Sequence, residues 1–278
     1  MYYTLLLVIF IIVFTVKYRL DRYIYINLFS SFNLSYYAIP RVSKSKPVYI
    51  TLTTTQKRIG YLKYALSSIL TQTRRVDEIR LYISKDVSVP SWLQELENRL
   101  SVFKIKRLEK DLGPVTKLLP ALIEEHDTDC YLLYIDDDMI YHPCTVERLI
   151  FHSNRFPNSV ICNSGKPYKH DNTYIQVVEG FGGVLVRPKF FNVPKMRKLI
   201  ETYPRELFFE DDVYISGMLS ENNIPCRSTK KQRSIPHLKE FILGYLFKRN
   251  PVSLSSTVNK NRRNFNKGLE YFRWKPPT

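Results

Sequence analysis

The sequence predicts an α/β fold built on a doubly wound, mostly parallel sheet. Short apolar, β-branched runs alternate along the chain with stretches of helical periodicity, the pattern of successive βαβ units. The run 131–135, Tyr-Leu-Leu-Tyr-Ile, is continuously apolar, as a strand buried on both faces must be. It ends in three consecutive carboxylates, Asp136, Asp137 and Asp138, and ligands of open α/β sheets bind outside the carboxyl ends of their strands.

The first stretch, 2–16, carries no charge and is mostly Leu, Ile, Val, Phe and Tyr. It is shorter than the roughly 20 residues of a membrane span. Lys17 and Arg19 can snorkel, however, and Tyr2, Tyr3 and Tyr18 suit the interfaces. There is no basic n-region and no small-residue cleavage site, so residues 1–20 read as an uncleaved single-pass anchor rather than a signal peptide. Lys17, Arg19 and Arg22 would hold the body on the cytosolic side, whereas the sequon Asn33-Leu34-Ser35 points the other way. Residues 21–47, with prolines at 40 and 47, read as a stem.

The globular body, expected over 48–226, opens with a β-branched strand at 48–53. Apolar residues at 59, 62, 65, 66, 69 and 70 then give a helix. Strands at 79–83 and 102–108 flank a helix that Ser91 would cap. A helix over 115–125 leads into the carboxylate strand. Beyond it come a helix at 145–154 and strands at 159–163 and 183–186.

The formal charge is +16, and residues 227–278 hold thirteen Lys/Arg against two acids. This basic extension suits a membrane surface or a nucleotide diphosphate. With no recognition helix, zinc finger or aromatic RNA-binding signature beside it, no nucleic-acid partner is expected. The four cysteines form no Cys-x-x-Cys pair, which argues against structural zinc.

Three adjacent carboxylates at the mouth of a sheet repel one another and call for a cation. Oxygen-only ligands favour Mg²⁺ or Mn²⁺. At i and i+2 of an extended stretch, Asp136 and Asp138 point to one side and Asp137 to the other. A solvated acidic turn would show the same triplet, but the buried strand before it and Met139-Ile140 after it argue against that. Two more constellations follow. Glu179-Gly180-Phe181-Gly182-Gly183 lets backbone approach a ligand closely, or is a simple turn. Glu210-Asp211-Asp212 precedes Ile215 and Leu219, at i+3 and i+7 from Asp212, so the acids sit in a helix's first turn. They either complement the helix dipole there or supply a general base.

Taken in order, these pieces resemble a family 2-like glycosyltransferase with the GT-A fold. The resemblance rests on Thr51–Thr54 with Arg58, Asp111-Leu112-Gly113-Pro114-Val115-Thr116-Lys117-Leu118, the Asp136–Asp138 "DXD" element, the 179–183 loop and Glu210–Val213. It covers about 48–225. It implies a nucleotide-sugar donor, a DXD-bound Mn²⁺ or Mg²⁺, inverting transfer of a hexosyl type, and a glycan, glycoprotein or glycolipid acceptor. By the same resemblance Thr53, Thr54 and Arg58 line the nucleotide pocket, and Asp111 and Lys117 hold nucleoside and diphosphate. Asp136 reaches the ribose or a metal water, Asp138 the metal, and Asp137 and Glu210 belong to the substrate-binding set. Gly182 and Gly183 border the sugar. Asp212, or failing it Asp211, is the base. GT-A enzymes often add a late histidine to the metal, and His237 is the candidate here. A metal-dependent nucleotidyltransferase is the rival activity, but no glycine lies in 53–58 to build its phosphate loop. A non-catalytic GT-A-like binding protein is the third reading, and the two intact acidic clusters speak against it.

Overall fold

The computed structural model of the protein describes residues 2–18, 46–170, 173–204, 209–229, 235–236, 261–272 and 274. Helix α1 (Tyr2–Tyr18) comes first. The body starts with β1 (Val48–Thr53), α2 (Leu62–Leu70), β2 (Glu78–Ser84), α3 (Ser91–Arg99) and β3 (Phe103–Leu108). Next come α4 (Leu119–Glu124), β4 (Tyr131–Tyr134), β5 (Met139–Ile140), α5 (Thr145–Arg155) and β6 (Val160–Cys162). A hairpin of β7 (Gly165–His170) and β8 (Thr173–Val178) leads to β9 (Val184–Val186), α6 (Val193–Thr202) and α7 (Asp211–Glu221). The last described elements are β10 (Cys226–Ser228), β11 (Ile235–Pro236) and α8 (Asn261–Tyr271).

Seven strands form one sheet in the order β10-β6-β9-β4-β1-β2-β3. All neighbours are parallel except β9, which runs antiparallel to both β4 and β6. The chain moves outward from β1 to β3, then returns to place β4 on the other side of β1. The carboxyl ends of β1 and β4 therefore flank a topological switch point, where open α/β sheets bind ligands.

The period of two along the strands builds two cores. Val48, Ile50 and Leu52 of β1 join Ile79, Leu81, Ile83 and Leu133 under α2, α3 and α5. On the opposite face Tyr82, Leu132 and Tyr134 pack against α4, α6 and α7. Covered on both faces, β4 has no exposed residue, which is why it reads as an unbroken apolar run.

Several local expectations change. The helix expected over 115–125 is split into a 3-10 turn, Gly113–Lys117, and α4. Pro120 is tolerated in the first turn of α4, but inside one longer helix it would lack the N–H donor and clash with the preceding turn, so the helix restarts there. The helix expected from Ile59 starts as a 3-10 turn, Ile59–Tyr61, that contains Gly60. Ser91 is the first residue of α3 rather than its cap, a place taken by Pro90 in an extended conformation.

Helix α1 has 17 residues, about 25 Å at 1.5 Å per residue. Among the described residues no helix is long and apolar enough to cross a membrane. Most of the expected stem, 21–45, lies outside the described residues, as do 230–234 and 237–260 of the basic extension. What is described of that extension joins the body. β10 pairs with β6, and Leu269 and Phe272, at the end of α8, are buried with α7. The core thus continues beyond residue 226.

Candidate active site

Ile135 still donates its amide to the Thr51 carbonyl at 3.0 Å, holding β4 in register with β1. The chain then leaves the sheet. The buried Tyr141 hydroxyl accepts from the Asp136 amide at 2.9 Å and donates to the Asp136 carbonyl at 3.2 Å. The three carboxylates are thus presented on a turn clamped where it begins, while β5 pairs with β11 just after it.

The carboxylates point in different directions. The Asp137 side chain is 7% exposed, against 29% for Asp136 and 17% for Asp138. Asp137 turns inward, accepts from the Thr54 hydroxyl at 2.5 Å and pairs with Arg58. Arg58 Nη2 also reaches Asp138 Oδ2 at 2.7 Å. Asp137, expected to bind substrate, instead ties the end of β1 to the end of β4. Asp136 faces the other way and meets Lys117 Nζ at 2.5 Å.

Lys117 is the centre of the cluster. Its ammonium also lies 2.8 Å from Asp211 Oδ2, at the start of α7. One buried cation therefore joins the carboxylates after β4 to those of α7. Asp212 Oδ1 accepts from the Gly180 amide at 2.9 Å. Gly180 packs so closely that a Cβ there would lie 2.6 Å from Lys117 Nζ and 3.3 Å from Asp136 Oδ1.

Burial opposes the charge on Lys117, but Asp136, Asp211 and Asp212 outweigh it and hold the lysine well above its ordinary pKa. The ammonium stays charged. Burial raises Asp212 well above the usual carboxylate range, Asp211 adds to the rise, and Lys117 offsets part of it. Asp211 is raised by burial and lowered by Lys117, with a net upward shift. Glu210, which precedes them, is pushed up to about 7 by burial and by Asp211. Carboxylates raised in this way are stronger bases than free ones.

Other expected residues serve the scaffold. The Thr53 hydroxyl donates to the Tyr82 carbonyl at 2.8 Å, bracing β1 on β2. Asp111 is exposed and accepts from the Gly113 amide at 2.7 Å, shaping the loop rather than joining the cluster. Gly182 and Gly183 are packed closely against the body. A Cβ on Gly182 would strike Ser164 at 2.8 Å, and Gly183, at φ 84°, abuts Leu133, Ile135 and Tyr141. The loop's contribution to the site is Gly180, which sequence reading passed over along with Tyr141. The loop is braced by Glu179, which accepts from Ser164 at 2.5 Å and from Lys166 at 2.9 Å.

Among the described residues no group of three His, Cys, Asp or Glu could hold a metal ion. His237 lies outside the described residues. The preceding Pro236 pairs with Met139, which itself follows Asp138. Asp136 and Asp138 are partly exposed, each with one oxygen ion-paired to Lys117 or Arg58, and carboxylate oxygens are the donor type that suits a hard divalent cation.

The family profile described as "Glycosyl transferase family 2" matches residues 51–214, more than half of the chain. The chain belongs to glycosyl transferase family 2. The match takes in both acidic clusters, the 179–183 loop and every expected site residue except His237. No curated protein matches this family 2 chain. Among solved structures it is similar to S. aureus TarS 1-349 in complex with UDP, at 17% identity and TM-score 0.47, covering 68% of this chain and 59% of that one. A second TarS structure from S. aureus matches at 16% identity and TM-score 0.46, over 82% of this chain and 44% of that one. The 1-349 form in complex with UDP-GlcNAc matches at 20% identity and TM-score 0.34, over 44% and 37%. The family 2 chain thus spans less than two thirds of the length of these TarS chains.

Proposed function

We propose that the protein moves a sugar from a nucleotide-diphosphate donor to an acceptor hydroxyl in a single inverting displacement. The observation that carries this reading is the Lys117 ammonium, which draws Asp136 and Asp211 together at the switch point. It puts donor-side carboxylates and a candidate base in one crevice. The acceptor oxygen attacks the anomeric carbon, the bond to the diphosphate breaks with its electron pair, and the acceptor proton leaves to a carboxylate. Asp212 is the better candidate base. Its Oδ1 is engaged by Gly180, which leaves Oδ2 for the proton. Asp211 is more buried and ion-paired with Lys117.

The donor set that fits a cation is Asp138 and Asp136, with His237 as a further ligand. A bound Mn²⁺ or Mg²⁺ would supply Lewis-acid stabilisation of the departing diphosphate. This chain's own part is to hold those oxygens, to bury Asp137 against Thr54 and Arg58, and to keep a charged lysine beside the base. We further read the uncharged part of α1 as a membrane attachment for this enzyme, acting on a glycan, glycoprotein or glycolipid acceptor. Deleting residues 1–20 should then release the protein from the membrane fraction, and full-length protein soluble without detergent would count against it.

The test of the reaction is the product. Transfer from a panel of nucleotide sugars should invert the anomeric configuration. Asp212→Asn should lower turnover by ~10²–10⁴-fold with donor affinity nearly unchanged. Retained configuration, or an Asp212→Asn enzyme at the wild-type rate, would overturn the assignment. Asp211→Asn as the dead variant would move the base by one residue.

A further inference from the structure

We propose that Gly180 and Lys117 act as a pair of positioning residues for this transfer: the bare Gly180 Cα seats the ammonium that holds Asp136 to Asp211, and the Gly180 amide aims Asp212. The inference rests on the function proposed above. It departs from the role that the family resemblance gives Lys117, that of a mobile cation on the donor diphosphate.

Lys117 is 4% exposed and ends a 3-10 turn packed beneath β1 and β2. Its Nζ has two carboxylate partners, and it lies 5.7 Å from the centroid of the Tyr134 ring. An ammonium has three donors in all, so two are committed to the protein before any ligand arrives. A lysine so placed orders carboxylates and does not reach out for phosphate.

Gly180 makes the arrangement possible. Its φ is not positive, so the backbone itself would accept alanine. The obstacle is contact. An added Cβ would sit 2.6 Å from Nζ and 3.2 Å from Cε of Lys117. The same residue donates to Asp212 Oδ1 at 2.9 Å. A methyl group at this one position therefore displaces the lysine and disturbs the candidate base while removing no charge and no hydrogen-bonding group.

The test uses the full-length protein and three variants, Gly180→Ala, Lys117→Ala and the double variant. Gly180→Ala should lower kcat about 100-fold, the scale of an ångström-sized misplacement of reacting groups. UDP binding with Mn²⁺, measured by calorimetry, should stay within about threefold of wild type. Lys117→Ala should likewise lose kcat rather than UDP affinity. In its background the Gly180 methyl meets no lysine, so the loss of Tm from Gly180→Ala should largely vanish in the double variant. If Lys117→Ala does not fold, Gly180→Ala decides by its split between kcat and affinity. Wild-type turnover in Gly180→Ala overturns the proposal. So does a tenfold or greater loss of UDP affinity at an unchanged kcat in Lys117→Ala, which would make Lys117 a diphosphate ligand. A wild-type protein that transfers no sugar sinks the proposed function itself. The Tm cycle still reads the seat in that case, and additive losses would overturn it.

Discussion

The Thr54 hydroxyl donates to the Asp137 carboxylate at 2.5 Å across 83 residues of sequence. This contact, with the Arg58 pair on the same carboxylate, fastens the loop after β1 to the turn after β4. The middle carboxylate of the acidic triplet thus fixes the shape of the crevice from inside.

Removing that carboxylate should destabilise the fold. Asp137→Ala leaves a mostly buried guanidinium short of one partner, and breaking a buried pair costs about 3 kcal/mol or more. The remaining Asp138 contact with Arg58 puts this case at the low end. Asp137→Asn keeps an acceptor for Thr54 and should lose less. Urea unfolding of the three proteins measures the order, and wild-type stability in Asp137→Ala would mean that the carboxylate faces substrate instead.

Gly217, in the middle of α7, should resist alanine. Alanine gains about 1 kcal/mol of helix propensity over glycine, but its Cβ would lie 2.3–2.6 Å from the Phe272 ring. Overpacking of this kind costs about 1–3 kcal/mol, so Gly217→Ala should lower Tm despite the better helix former. Truncation before Asn261, which removes Phe272 and Leu269 from the core, should lower it further. A raised Tm in Gly217→Ala would show that α8 does not pack there in solution.

Stability should fall as pH rises through the acidic to neutral range. Glu210 has an ordinary value of 4.5 and is pushed up to about 7 in the fold, so between these the folded state binds the extra proton. Its contribution is complete below about pH 4.5 and is lost as pH climbs through 7. Asp211 and Asp212 shift in the same direction. Glu210→Gln removes part of this dependence and should be more stable than wild type at pH 8, by up to about 3 kcal/mol, with the gap closing toward pH 4. Denaturant melts across that range check the slope, and parallel curves for the two proteins would contradict it.

Metal dependence should centre on Asp138. Asp138→Ala should abolish the Mn²⁺-dependent stabilisation that a panel of nucleoside diphosphates gives the wild type in thermal shift, since a ligand stabilises by mass action. His237→Ala should weaken it. Asp111→Ala, at an exposed loop residue outside the cluster, should change it little. An Mn²⁺ response in Asp138→Ala equal to wild type would remove this residue from the metal set.

The sequence by itself determined the alternation of strands and helices, the strand that carries the carboxylates, and the presence of two acidic clusters. Those signals are local. A period of two, a period of 3.6 and an uninterrupted apolar run are each legible within a dozen residues. The break before Pro120 has a local cause too, since proline fits the first turn of a helix but not the interior of the longer one that the apolar spacing implies. The helix α6 had a readable start in Asn192, whose side chain accepts from the Lys195 amide at 3.0 Å, with Pro194 just inside.

The tertiary structure alone decided which glycine matters, what Lys117 holds, and that Asp137 faces inward. Each depends on contacts between segments far apart in the chain. Lys117 meets Asp211 only because the 3-10 turn after β3 and the start of α7 arrive at the same end of the sheet. Gly180 and Gly182 are alike in sequence, and the fold sets them apart by placing Lys117 beside the first and Ser164 beside the second, and by giving the Gly180 amide to Asp212. Position along the chain fixes which residues are available, but the distances that turn them into a site exist only after the sheet has brought β1, β4 and α7 together.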